Sequence, residues 1–64
     1  MNLSDFYRKV YAFGMTKWDE LKNKRKVAAA VHSYCNDAIN SNPELRSEIC
    51  SIRDQFLHAF RRSI

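Results

Sequence analysis

Residues 40–62 read NSNPELRSEICSIRDQFLHAFRR, and this stretch decides the fold class. Asn42 is a natural N-cap, and Pro43 suits the first helical position because its missing N–H would be orphaned there anyway. From Leu45 on, Ile49, Ile52, Phe56 and Ala59 or Phe60 recur at the spacing of a single helical face. Glu44 and Glu48 load the N-terminal end of that helix, and Arg61 and Arg62 load the C-terminal end. Each is the sign of charge that the helix macrodipole favours. Cys50 and Leu57 lie about 80–140° off the stripe by helical-wheel arithmetic and form a second, weakly apolar flank.

Upstream, Asn40, Ser41 and Asn42 leave room for only a short turn. The preceding helix must therefore run antiparallel to this one. That helix is expected from Thr16 to about Ile39. Thr16 and Asp19 resemble a capping box, with Asp in the place usually held by Glu or Gln. At 100° per residue Leu21, Ala28, Cys35 and Ile39 fall on one line, with Val31 and Ala38 beside it. Lys24 falls inside the apolar arc. The helix is then either bent near Lys22–Lys26 or wide-faced and in contact with two neighbours.

A first helix is expected over Ser4–Phe13, with Ser4 as N-cap and Asp5 in the first turn. Leu3, Phe6, Val10 and Phe13 make its stripe, Tyr7 and Tyr11 flank it, and Gly14 ends it in a left-handed conformation. Phe6, Phe13, Phe56 and Phe60 are expected to form the core where this helix meets the C-terminal half of the last one. No segment alternates as a strand does. One Gly and one Pro in 64 residues exclude turn-rich sandwiches and barrels. Eight aromatics, four Phe, three Tyr and one Trp, exclude a disordered linker. The expected fold is all-α: a single compact three-helix domain over residues 1–64 with an antiparallel hairpin of helices two and three. Pairing of two copies into a four-helix bundle, with helix one lying across it, is the alternative assembly.

Lys and Arg number 11 against 7 Asp and Glu, a formal net charge of +4. The densest cluster is Lys22-Asn23-Lys24-Arg25-Lys26, and Lys17 stands one turn before it. These five cations, Lys17, Lys22, Lys24, Arg25 and Lys26, are the candidate nucleic-acid contacts, because each phosphate they neutralise releases counterions. Tyr7, Tyr11 and Trp18 are close enough in sequence to offer stacking surfaces. Against this, Asp19–Lys22 and Glu20–Lys24 sit at pairing distance along a helix, the pattern of an ordinary solvated face. A helix-turn-helix around Phe13–Thr16 fits poorly, since the helix after the turn is long and its centre, Val27–Val31, is apolar.

Other chemistry is thin. His32, Cys35, Cys50 and Asp54 are ligand types, but no close Cys pair of the kind structural zinc sites use is present. No metal and no cofactor is expected. A Cys35–Cys50 disulfide would need an oxidising compartment. Asp5, Arg8 and Lys9 interrupt what a signal peptide needs to be an apolar run, so the expected location is cytoplasmic, with both thiols reduced. His58 follows Asp54 by four residues, an exposed ion pair in its plainest reading, with no nucleophile or glycine-rich phosphate loop beside it. The chain is short for a supported active site.

The leading expectation is therefore a small non-enzymatic helical regulator, or inhibitor, that acts by binding a protein partner. Tyr7, Tyr11 and Leu57, rimmed by Arg61 and Arg62, are its candidate binding residues, since aromatics and Arg dominate interface hot spots. A DNA- or RNA-binding module using residues 17–26 is the second expectation, and a structural homodimer subunit the third. No membrane partner is expected. The first two readings part on a spatial question. Cations gathered with Arg61 and Arg62 on one face favour nucleic acid; an apolar patch around Tyr7, Tyr11 and Leu57 favours a protein.

Overall fold

The computed structural model describes residues 1–63. Three helices follow one another: α1 (Leu3–Leu21), α2 (Lys24–Ser41) and α3 (Arg46–Ser63), with a single 3-10 turn at Pro43–Leu45 leading into α3. The two-residue junction Lys22–Asn23 and the tight Asn42 turn make the bundle run up, down and up. Trp18 near the end of α1 meets Phe60 near the end of α3, with ring centroids 5.6 Å apart, so these two helices are parallel. The bundle is about twice as long as it is wide, 33 × 18 × 15 Å.

The helix boundaries correct the reading from sequence. Gly14 does not end α1; it lies buried inside it. A Cβ on Gly14 would stand 2.7 Å from Cε2 and 2.9 Å from Cε1 of Phe56, and closer still to Cζ. The glycine is there to admit that ring, not to reverse the chain. The left-handed residue that does end α1 is Lys22, at φ 47°, whose N–H donates to the Trp18 carbonyl at 2.9 Å. The N-cap of α1 is Asn2 rather than Ser4: its Oδ1 accepts from the Asp5 N–H at 3.2 Å.

The expected cap at Thr16 is likewise replaced. Thr16 is an exposed residue in mid-helix, and α2 begins at Lys24, where Asn23 Oδ1 accepts from the Lys26 N–H at 3.0 Å. The suspected bend near Lys22–Lys26 is thus a full break between two helices. Asn23→Ala removes the cap and is expected to cost about 1 kcal/mol. That lowers the unfolding midpoint by roughly 4–8 °C for a domain of this size, whereas Thr16→Ala leaves it within a degree or two or raises it. The two midpoints measured side by side by circular dichroism check this; the reverse ranking would restore Thr16 as the cap. Asn42 also differs from expectation. Its side chain caps no N-terminus; Nδ2 donates backward to the Ala38 carbonyl at 3.3 Å, closing the end of α2.

The core is wholly apolar: Phe6 and Val10 from α1, Val27, Val31 and Cys35 from α2, and Ile49, Ile52, Phe56, Leu57 and Phe60 from α3. The α3 stripe is the expected one, with Leu57 added. Leu57 is only 7% exposed, because a third helix covers the flank where it sits, and burying a Leu is worth about 2 kcal/mol. On α2 the centre of the stripe rotates to Val27, Val31 and Cys35. Leu21 falls outside α2 and is exposed. Lys24 interrupts no stripe, since it stands at the helix start beyond the core.

The four phenylalanines divide between two contacts rather than forming one. Phe6 and Phe13 pack on Tyr34 of α2, at centroid distances of 6.0 and 4.5 Å. Phe56 stacks on Phe60 at 5.6 Å, and α1 meets this pair through Tyr11 and Trp18. No helix among the described residues is long and apolar enough to cross a membrane.

Candidate functional site

The end of the bundle where α1 stops, α2 starts and α3 stops collects the charge. Lys17 and Lys22 come from the end of α1, Lys24, Arg25 and Lys26 open α2, and Arg61 and Arg62 close α3. Only Asp19 and Glu20 accompany these seven cations. The rest of the chain holds Arg8, Lys9, Arg46 and Arg53 against five carboxylates, so this one end carries more than the whole net charge. The short connection Lys22–Asn23 and the parallel course of α1 and α3 bring about the gathering; the sequence separates Lys26 from Arg61 by two helices.

The cations are not equivalent. Lys17 Nζ lies 3.2 Å from Glu20 Oε1 and 5.6 Å from the centre of the Phe13 ring. Lys22 Nζ lies 3.6 Å from Asp19 Oδ1 and 5.2 Å from the Trp18 ring. Such exposed pairs are worth about 1 kcal/mol or less and yield easily to a stronger anion. Lys24, Arg25, Lys26, Arg61 and Arg62 are exposed, and none has a carboxylate within 4.0 Å among the described residues. The Glu20–Lys24 pairing suggested by spacing does not form, because the chain breaks between the two residues.

The first turn of α2 holds three cations and no acidic residue. Positive charge there opposes the helix dipole, at about 0.3–1 kcal/mol per charge at low ionic strength. Arg61 and Arg62, in contrast, sit where the dipole favours them.

The expected stacking surfaces are committed elsewhere. Tyr7 lies against Tyr11, whose ring meets Phe56 edge-on at 4.9 Å, and Trp18 meets Phe60 edge-on. The candidate protein patch does not assemble either. Leu57 is buried, Tyr7 borders Leu3, Arg8 and Ile52 toward the opposite end of the molecule, and Arg61 and Arg62 belong to the basic end.

Two features went unread in the sequence. One is a cleft of about 200 Å³ between α1 and α3, lined by Tyr11, Met15, Phe56, Ala59, Phe60 and Ser63, with Met15 42% exposed. Met15 is legible as a wall residue only when α1 runs unbroken past Gly14. The other is a groove of about 350 Å³ between α2 and α3, lined by His32, Asp54, Leu57, His58 and Arg61. Each histidine is visible in the sequence; their meeting is not.

Among the described residues no three His, Cys, Asp or Glu side chains lie close enough together to hold a metal ion. His32 is exposed on α2 while Cys35 faces the core, so the ligand types diverge. Both cysteines are free thiols, and burial pushes Cys35 up to about 11, where it is a poor nucleophile at neutral pH. No family model, no curated protein and no solved structure matches this chain.

Proposed function

We propose that the protein is a small non-enzymatic helical module that binds nucleic acid through its basic end, gripping backbone phosphates rather than bases. The observation that carries this reading is the gathering of seven cations from three helices at one end, five of them without a carboxylate partner among the described residues. Three of those five stand where they weaken their own helix. Departures from local stability rules of this kind are expected at functional sites. The aromatic side chains near the basic end are packed internally, which supports backbone contact to a duplex over base stacking on a single strand.

A titration of labelled duplex, single-stranded DNA and RNA at about 50 and 200 mM salt tests this. With five phosphate contacts, duplex affinity should fall by roughly several hundred-fold between the two, with the duplex bound at least as tightly as the single strand. Absence of duplex binding at the lower salt overturns the reading. So does a protein that ignores the duplex but sediments with vesicles of anionic phospholipid.

The Tyr11–Met15–Phe60 cleft supports a second reading, a protein partner or a second copy of this chain seated on the exposed Met15. Unaltered function in a Met15→Glu variant that is folded and monomeric would remove it.

A further inference from the structure

We propose that a second copy of this chain seats antiparallel on the α1–α3 side of the bundle, over the Met15 cleft. This rests on the second reading above, that the cleft is a contact surface, and names its occupant and orientation. The cleft is not isolated. A second hollow of about 400 Å³, lined by Leu3, Ser4, Tyr7, Arg8 and Ile52, lies on the same seam between α1 and α3. Tyr7 and Tyr11, with ring centroids 4.9 Å apart, join the two into one largely apolar furrow. Among the described residues the exposed large apolar side chains are Met1, Met15 and Leu21. Met15 alone of these stands away from a chain or helix end, in the wall of the furrow.

Charge complementarity names the occupant. Glu48, Gln55 and Arg62 recur every seven residues along α3 and form an exposed strip within about 60° of Ala59, a furrow residue, by helical-wheel arithmetic. Neither Glu48 nor Arg62 has an oppositely charged group within 4.0 Å among the described residues. They stand about 21 Å apart along one helix, out of each other's reach. A two-fold axis at the level of Gln55 sets each Glu48 against the partner's Arg62, so both charges find partners twice over. Gly14 faces Phe56, so Tyr11 and Met15 lie on either side of that same level, and the axis brings Met15 of one copy to Tyr11 of the other. The overall charge asks for the same orientation. The basic end holds seven cations against two carboxylates, and the rest of the chain four against five. Parallel copies would abut two basic ends; antiparallel copies set each basic end beside the other's excess of carboxylates. The remaining six cations of each copy stay open, one set at each pole of the pair. A side of 33 × 18 Å covers at most about 600 Å², so pairing buries no more than about 1,200 Å², the lower end of a standard interface. Association in the micromolar range is expected.

The measurement is sedimentation equilibrium of the full chain over about 5–500 µM, for the parent and four variants: Met15→Glu, Glu48→Arg, Arg62→Glu, and the double swap Glu48→Arg/Arg62→Glu. All three positions are exposed, so the variants keep the fold, which circular dichroism checks. The parent is expected to dimerise within this range. Met15→Glu buries a carboxylate against apolar surface and should weaken the dimer by more than about 100-fold. Each single charge reversal sets like charges across the axis and should weaken it by about ten-fold. The double swap should restore the parent's dimer, and because the two sites cannot meet within one copy, restoration reports contact between copies. A parent that stays monomeric overturns the proposal. So does a dimer indifferent to Met15→Glu, which also removes the cleft as a contact surface. A dimer lost in Met15→Glu but not restored by the double swap overturns the antiparallel arrangement and leaves the cleft standing.

Discussion

Gly14→Ala is expected to lower the thermal unfolding midpoint by roughly 8–16 °C, against the usual sign for a glycine in a helix. Inside a helix Ala is better than Gly by about 1 kcal/mol. Here the new Cβ would meet three atoms of the Phe56 ring at distances that Cβ atoms do not adopt. The ring cannot tilt away cheaply. It is 1% exposed, stacked on Phe60 and held edge-on by Tyr11. Overpacking of a tight core costs about 1–3 kcal/mol and sometimes more; three ring atoms within 3.0 Å of the new Cβ place this site at the upper end, so the clash outweighs the propensity gain by about 2 kcal/mol. For a domain of this size that loss corresponds to roughly 8–16 °C. The cause is checked by a double-mutant cycle. Phe56→Leu withdraws the ring, so Gly14→Ala in that background should cost at least about 1 kcal/mol less than in the parent. A rise in midpoint for Gly14→Ala alone would show that α1 and α3 are not in close approach at this point.

Replacing Lys24, Arg25 and Lys26 together by Glu should drive affinity and stability in opposite directions. Three of the five cations without a carboxylate partner are lost and three repulsive charges are set against the phosphates. Duplex binding at 0.1 M salt is expected to fall by more than about 100-fold, and the salt slope to shrink by about three. The fold should become more stable at low ionic strength, because each reversed charge now suits the N-terminal end of α2, at about 0.3–1 kcal/mol per site. Asn23 continues to cap the helix, since its bond goes to the Lys26 backbone N–H, which survives the substitution. Lost binding with a raised midpoint separates a functional surface from a merely solvated one. Retained binding would clear residues 24–26 of any role.

The opposed effects also explain why the basic segment is legible in sequence while its meaning is not. Lys22–Lys26 stands out as a charge run, but on a continuous helix it would be partly neutralised by Glu20 and Asp19. The break at Lys22 moves Lys24 onto a new helix, dissolves the Glu20–Lys24 pair and sets three cations at a helix start. Arg61 and Arg62 read only as well-placed C-terminal charges. Their second property, proximity to the α1–α2 turn, follows from α3 running parallel to α1. The Tyr7–Tyr11–Leu57 patch fails for a related reason. Leu57 lies off the main stripe of α3 and is left over when a single stripe is counted as the buried face, but a helix packed against two others buries a wider arc than one stripe.

The sequence by itself determined that this chain is helical throughout, that a short turn around Asn42-Pro43 precedes its last helix, and that Ile49, Ile52, Phe56 and Phe60 face inward. Those properties depend on neighbours within a turn or two, where apolar spacing and dipole signs act locally. Only the tertiary structure decided what Gly14 is for, where α1 ends, which way α2 turns its apolar face, and which charges and imidazoles become neighbours. A glycine that breaks a helix and one that admits a ring are identical in the chain. They differ only in what the packed partner, forty-two residues further on, brings to the same point in space.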